Sequence, residues 1–294
     1  MSDGTRGPGP GPELRPGPES VVGSAGSPPE NAENAENTVN AESTENAEST
    51  ENAENTPSAF ARLVLETMPE ESRVGLTLGF VRTYGIPEIA RVLHGTGRML
   101  NEPRGRAKAT GVAMFGLIGR GLDSAEGRRI VDGLRRVHDR PDITPELMAY
   151  VLACFTVCPL RFIDAHGHRA VTGAERADAD AFHRGLSDAL GLPEPPGGGH
   201  AGDGLAGVEG WMRDFESRRF APSDAGRALW RATSDGLLAA RLPAPLAPLA
   251  PAVAAALLDP PLRTALGVRR APAPVRALVT YALRRRARSR RGGS

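Results

Sequence analysis

The chain has 294 residues, with 36 Lys+Arg against 35 Asp+Glu and a formal charge of +1; its 2 cysteines exclude a disulfide framework. No run reaches the ~18–20 consecutive apolar residues that span a bilayer, and no basic start with an apolar core marks a signal peptide. The expected location is therefore cytoplasmic, with no transmembrane segment.

The near-neutral total hides a division. Residues 1–57 hold ten glutamates and Asp3 against Arg6 and Arg15, a net charge of −9, and almost no large apolar side chains. Such a segment buries too little apolar surface to offset the entropy of ordering it. Its drifting NAENAEN and AESTEN register reads as low complexity, and the expectation is a disordered acidic tail. It leaves about +10 for residues 58–294, so the tail either solubilises a basic domain or folds back over its basic end.

From Ser58 onward the apolar residues recur at helical spacing, and strand and hairpin signals are scarce. SAFARLVLETM opens a helix with Ser58 as its cap. RVGLTLGFVRTYG follows and ends near Gly85, and IPEIARVLHGTGRML restarts with Pro87 in its first turn. RGRAKATGVAMFGLIGRG is helical although each glycine costs up to ~1 kcal/mol relative to alanine. Its glycines are expected where a neighbouring helix or a flat ligand comes close. Ser124 caps the next helix, which ends at His138 before Arg140 and Pro141.

Thr144, Pro145 and Glu146 begin TPELMAYVLACFTVCPLRFID. This segment is apolar on almost every face, the mark of a central buried helix, and Cys154 and Cys158 on it read as reduced core thiols. Thr172 and Glu175 form a capping box. PEPPGGGHAGDG is a loop, and GWMRDFESRRF and SDAGRALWRATSDGLLAARLP are amphipathic helices. From Leu242 the chain is rich in proline and alanine with short helical pieces. The expected architecture is all-α: a single helical domain over residues 58–283, of roughly eight to ten helices, with residues 284–294 a basic disordered tail.

Three groups of residues could carry chemistry. Ile130, Leu134 and His138 are spaced i, i+4, i+8, so the imidazole continues an apolar stripe and avoids the charged face of Arg128, Arg129 and Arg135. It reads as a ligand held on rigid backbone, or as a helix-end histidine facing the macrodipole. Arg106 and Thr110 share one face of the preceding helix. The arginine fork suits a carboxylate, and the bland alternative is a surface arginine beside a helix-satisfied hydroxyl. His166 and His168 lie in a polar link without a third ligand nearby. Arg284–Arg286, Arg288, Arg290 and Arg291 form a basic cluster without stacking aromatics, which argues against specific nucleic-acid binding and leaves weak contact with an anionic membrane.

An ordered series of segments resembles the oxygenase family of the mycophenolic-acid side-chain oxygenases and the rubber oxygenase (latex-clearing protein). FVRTYGIPEIARVLHGTG resembles the segment before the Arg/Asp-Thr helix of the former, and RGRAKAT the Arg-x-x-x-Thr pair of the latter. FTVCPLRFIDAHGHRAVTGAERADADAFHRGLSDALGLPEPP and LLDPPLRTALG resemble the later part of the family. The resemblance implies a globin-like core with added helices, haem b as cofactor, and His138 as the proximal iron ligand. It further implies Arg106 at the haem carboxylates, Arg106 and Thr110 near bound O2, and a small apolar substrate, isoprenoid or otherwise alkene-containing. Ala109 stands where the fungal enzymes have an acidic residue. Glu88 and Glu102 are the nearest counterparts of the pocket glutamate, Glu88 being the candidate catalytic carboxylate, and Lys108 lies near enough to approach. The alternative is a non-catalytic haem- or ligand-binding protein of the same fold.

Overall fold

The computed structural model describes residues 57–193, 204–238 and 248–291. The acidic segment before Pro57, most of the glycine-rich loop with His200, and residues 239–247, where the proline- and alanine-rich stretch begins, lie outside the described residues.

Among the described residues, side chains cap six of the helix starts. Ser58 Oγ accepts from the Ala61 amide at 3.1 Å to open α1 (Ala59–Arg62), which runs into a π-turn at Leu63–Thr67. Its Ala59 amide donates to Asp178 at 2.6 Å. Prolines at the first turn start α2 (Pro69–Thr83), α3 (Pro87–Gly95) and α5 (Pro103–Arg120). Gly97, at φ +66°, breaks the stretch after Pro87 into α3 and the four-residue α4 (Arg98–Asn101). Ser124 and Thr144 cap α6 (Ala125–His138) and α7 (Pro145–His166). Thr172 and Glu175 form the expected capping box of α8 (Gly173–Ala189).

Next come α9 (Gly204–Arg219) and α10 (Asp224–Thr233), the latter capped by Ser223 and continued as a π-turn over Ser234–Leu238. The short α11 (Ala250–Ala255) and α12 (Pro260–Leu266) precede α13 (Ala273–Arg291). The thirteen α-helices, with no strand among the described residues, exceed the expected eight to ten because several have only four to seven residues, too short to show a 3.6-residue period. The basic segment from Arg284, expected as a disordered tail, is helical to Arg291. Arginine is a good helix former, and Arg286 and Arg290 reach Glu71 at 3.5 and 3.3 Å.

The apolar α7 is the central helix. Tyr150, Cys154, Val157, Leu160 and Ile163 are buried on successive faces. By length and composition alone it could also cross a membrane, but 72% of its most apolar eighteen-residue stretch is buried inside the protein, as expected of a central helix. Against it lies α2 at very close range. A Cβ on Gly75 would stand 2.4 Å from Pro159 Cα, and one on Gly79 would stand 2.5 Å from the Cys154 carbonyl oxygen. From the other side Phe215 of α9 stacks on Tyr150, ring centroids 4.9 Å apart.

A buried charge network ties these helices together. Arg82 of α2 donates through two nitrogens to Glu216 of α9, and through a third to Asp259. Tyr150 donates to Glu216 at 3.0 Å. The other oxygen of Asp259 caps α12 by accepting from the Leu262 amide at 3.0 Å.

Candidate functional site

α5 and α6 pack through glycine. A Cβ on Gly116 would lie 3.1 Å from Ile130 Cδ1, and one on Gly119 would lie 2.9 Å from Leu65 Cδ1. The glycines of α5 therefore do admit neighbours closely, as the sequence suggests. Gly111 differs: a Cβ there would meet only Phe115 of its own helix, at 3.8 Å, so the flank beside Thr110 is open.

Ile130 and Leu134 join the apolar cluster of Leu117, Val131 and Leu152, as the stripe predicts. His138 ends that stripe half-buried, its Nδ1 2.7 Å from the Leu134 carbonyl oxygen. A carbonyl can only accept, so Nδ1 carries the proton and Nε2 keeps its lone pair. Burial lowers the His138 pKa below the usual histidine value; the bond to Leu134 opposes this, and the positive charge of Arg106 adds to it. The imidazole is thus biased toward the neutral form that can ligate a metal.

Arg106 stands over the Phe80 ring, 5.2 Å from its centroid, and donates to Thr110 Oγ1. The expected shared face is realised. Thr110 in turn donates only weakly to the Arg106 carbonyl, at 3.4 Å. Burial lowers the Arg106 pKa, with Tyr84 opposing and Arg98 reinforcing the shift. Among the described residues no carboxylate pairs with Arg106, so a partly desolvated cation sits close to His138 without an anion.

Glu88 is not brought to this group. Its carboxylate accepts from Arg219 at 2.8 Å, and the same guanidinium reaches Glu146 at 2.9 Å, an ion triad joining α3, α9 and α7. The carboxylate is engaged by a structural partner, and its expected catalytic role finds no support in its position. Glu102, Lys108, Ala109 and His94 are exposed. His166 lies against Phe162, ring centroids 4.7 Å apart.

Two features had no motif to announce them. The fully buried Tyr84 shares a hydrogen bond of 3.0 Å with Thr233, joining α2 to α10 beside Phe80. His183 is buried with Nδ1 3.2 Å from Thr156 Oγ1. Partners 149 and 27 residues apart leave no local signal.

Residues 70–289 match the family described as "ER-bound oxygenase mpaB/B'/Rubber oxygenase, catalytic domain". The chain belongs to this family. Glu88, Arg106, Thr110 and His138 all fall inside the matched region. The chain is 29% identical over 208 residues to the ER-bound oxygenase mpaB' of Penicillium brevicompactum, covering 66% of this chain and 48% of that protein. It is also 29% identical over 160 residues to the ER-bound oxygenases mpaB of Penicillium brevicompactum and Penicillium roqueforti (strain FM164), covering 50% of this chain and 40% and 53% of theirs. The chain spans about half the length of the curated relatives it matches. These relatives overturn the cytoplasmic expectation, because proteins named as ER-bound point to membrane association. That expectation rested on the lack of a long apolar run and of a signal peptide, neither of which reports on attachment at a membrane surface.

Proposed function

We propose that this protein is a haem-dependent oxygenase acting on a small apolar alkene, with His138 as the proximal iron ligand. The observation that carries the reading is the Nδ1–H···O=C bond to Leu134 beside Arg106, which no carboxylate among the described residues pairs. Metal-ligating histidines donate their second ring nitrogen in this way, which fixes the ring and raises the basicity of the free nitrogen. Both features fit haem b: a preset nitrogen donor, and a guanidinium able to take a propionate carboxylate. The open flank at Gly111 offers room for a flat group. When bound, haem b supplies the iron centre at which O2 reacts.

The chain's own residues supply orientation and polarity. Leu134 holds the His138 ring, and Phe80 supports the Arg106 guanidinium from beneath. Thr110, accepting a hydrogen bond from Arg106 and donating only at 3.4 Å to a carbonyl, keeps a hydroxyl free to donate toward a ligand oxygen. The apolar stretches Ala113–Leu117 and Val151–Val157 suit an isoprenoid or other alkene. Such substrates partition into membranes, in keeping with relatives named as ER-bound. No carboxylate base is assigned. The engagement of Glu88 by Arg219 favours a second reading, a haem-binding protein without turnover.

The test is absorption spectroscopy of the purified full-length chain titrated with haemin. A Soret band that shifts on reduction is expected, and His138→Ala should weaken haem affinity at least ~10-fold, the scale for loss of a ligand or its support. No Soret band, or an unchanged spectrum in His138→Ala, would overturn the proposal. Bound haem with no O2-dependent alkene turnover would select the second reading.

A further inference from the structure

Among its nineteen residues α13 carries seven arginines and no acidic residue. Its two faces use them differently. On the inner face Val275, Val279 and Leu283 recur every four residues and are half-buried. Val279 and Leu283 close an apolar cavity of about 210 Å³ with Val74, Phe162, Val253 and Leu257. Arg286 and Arg290 fasten this face to the buried Glu71, with Arg286 also 3.8 Å from Glu70.

Among the described residues the outer face has no such partners. Leu278 and Tyr281 are 61% and 63% exposed, well beyond what a docked helix needs to leave open. Arg284, Arg285 and Arg288 are exposed, and no carboxylate among the described residues pairs with them. Positions 278, 281, 285 and 288 advance by alternating steps of three and four, so they form one stripe. Over ten residues it runs about 15 Å, apolar in its first half and basic in its second.

We propose that this outer face of α13 seats the protein on a membrane surface bearing anionic phospholipid headgroups. Guanidinium forks match headgroup phosphates, while a leucine and an amphipathic tyrosine suit the boundary between headgroups and acyl chains. The pairing of both kinds of side chain on one stripe selects lipid over the other polyanions. RNA would satisfy the arginines but leave Leu278 without a partner and find a single ring to stack on. The acidic residues 1–57 could answer the charge, yet they offer almost no large apolar side chain to cover Leu278 and Tyr281. The proposal is independent of haem and of turnover.

The experiment is co-sedimentation of the full-length protein with phosphatidylcholine vesicles, with and without one-third phosphatidylserine. Binding is expected only to the phosphatidylserine vesicles and should weaken as salt rises. Arg284→Gln/Arg285→Gln/Arg288→Gln should lose affinity on the order of a hundredfold, and Leu278→Ser/Tyr281→Ser on the order of tenfold. All five side chains are exposed and lie outside the Glu71 contact, so helicity and thermal midpoint should stay unchanged, which circular dichroism checks. The proposal is overturned by absent binding to phosphatidylserine vesicles or by equal binding to neutral ones. It is also overturned if the Leu278/Tyr281 variant binds like the parent, or if single-stranded RNA displaces the protein from vesicles.

Discussion

His183 titrates against its surroundings. Burial holds its pKa down at about 4, with Asp180 pulling it up and Arg184 pushing it further down, against 6.5 in an unfolded chain. Between those values the unfolded chain takes up a proton that the folded one refuses. Stability is therefore complete above pH 6.5 and falls as pH drops through the window toward about 4. The loss is on the order of 3 kcal/mol across the window. Denaturation midpoints measured from pH 7 to 4 should fall steeply in the parent and flatten in His183→Gln; equal slopes would remove His183 as the source. The candidate ligand was easier to see from sequence than this residue. His138 ends a regular stripe on its own helix, whereas the environment of His183 depends on Thr156 in another helix. Glu88 went the other way, because no local pattern could reveal that Arg219 would claim it.

At the scale of single helices, starts were legible and short pieces were not. Ser58, Ser124, Thr144 and Thr172 announce themselves because a cap is a local bond within three residues. The break at Gly97 and the helical run to Arg291 depend on distant neighbours, as with Arg290 and Glu71. The α2–α7 contact is likewise invisible until both helices are in place, although Gly75 and Gly79 share one face. Replacing either glycine by alanine should help the isolated helix by about 1 kcal/mol. Here the new Cβ would strike backbone atoms at 2.4 or 2.5 Å, which cannot swing aside. Overpacking of this kind costs ~1–3 kcal/mol, so Gly79→Ala should be net destabilising. Thermal unfolding of Gly79→Ala beside Gly133→Ala, a site with nothing within 4 Å, isolates the clash from the propensity gain. Equal midpoints would show that the two helices can part cheaply.

Across the whole molecule, the apolar pattern identified an all-α protein built round one buried helix but gave no sign of the charges inside it. Arg82 and Glu216 read as surface charges in the sequence, and nothing there pairs them with each other or with Tyr150 of the buried helix. In the structure Glu216 outweighs the cost of burying Arg82 and keeps it protonated. Removing one member strands the other, at ~3–5 kcal/mol, whereas removing both for apolar residues of similar size can be nearly neutral. Glu216→Ala should therefore lower the urea midpoint severely, and Arg82→Met/Glu216→Leu should recover much of the loss. A double variant no better than the single would mean that the network does more than balance its own charges.

The two oxygens of Asp259, one capping α12 and one holding Arg82, also order events in time. Arg82 leaves the ribosome 134 residues ahead of Glu216 and 177 ahead of Asp259. Until then its guanidinium must stay in water, and the end of α2 that carries it cannot settle permanently against the rest. The end of α2 can therefore dock permanently against α9 and the start of α12 only after residues 216 and 259 have emerged.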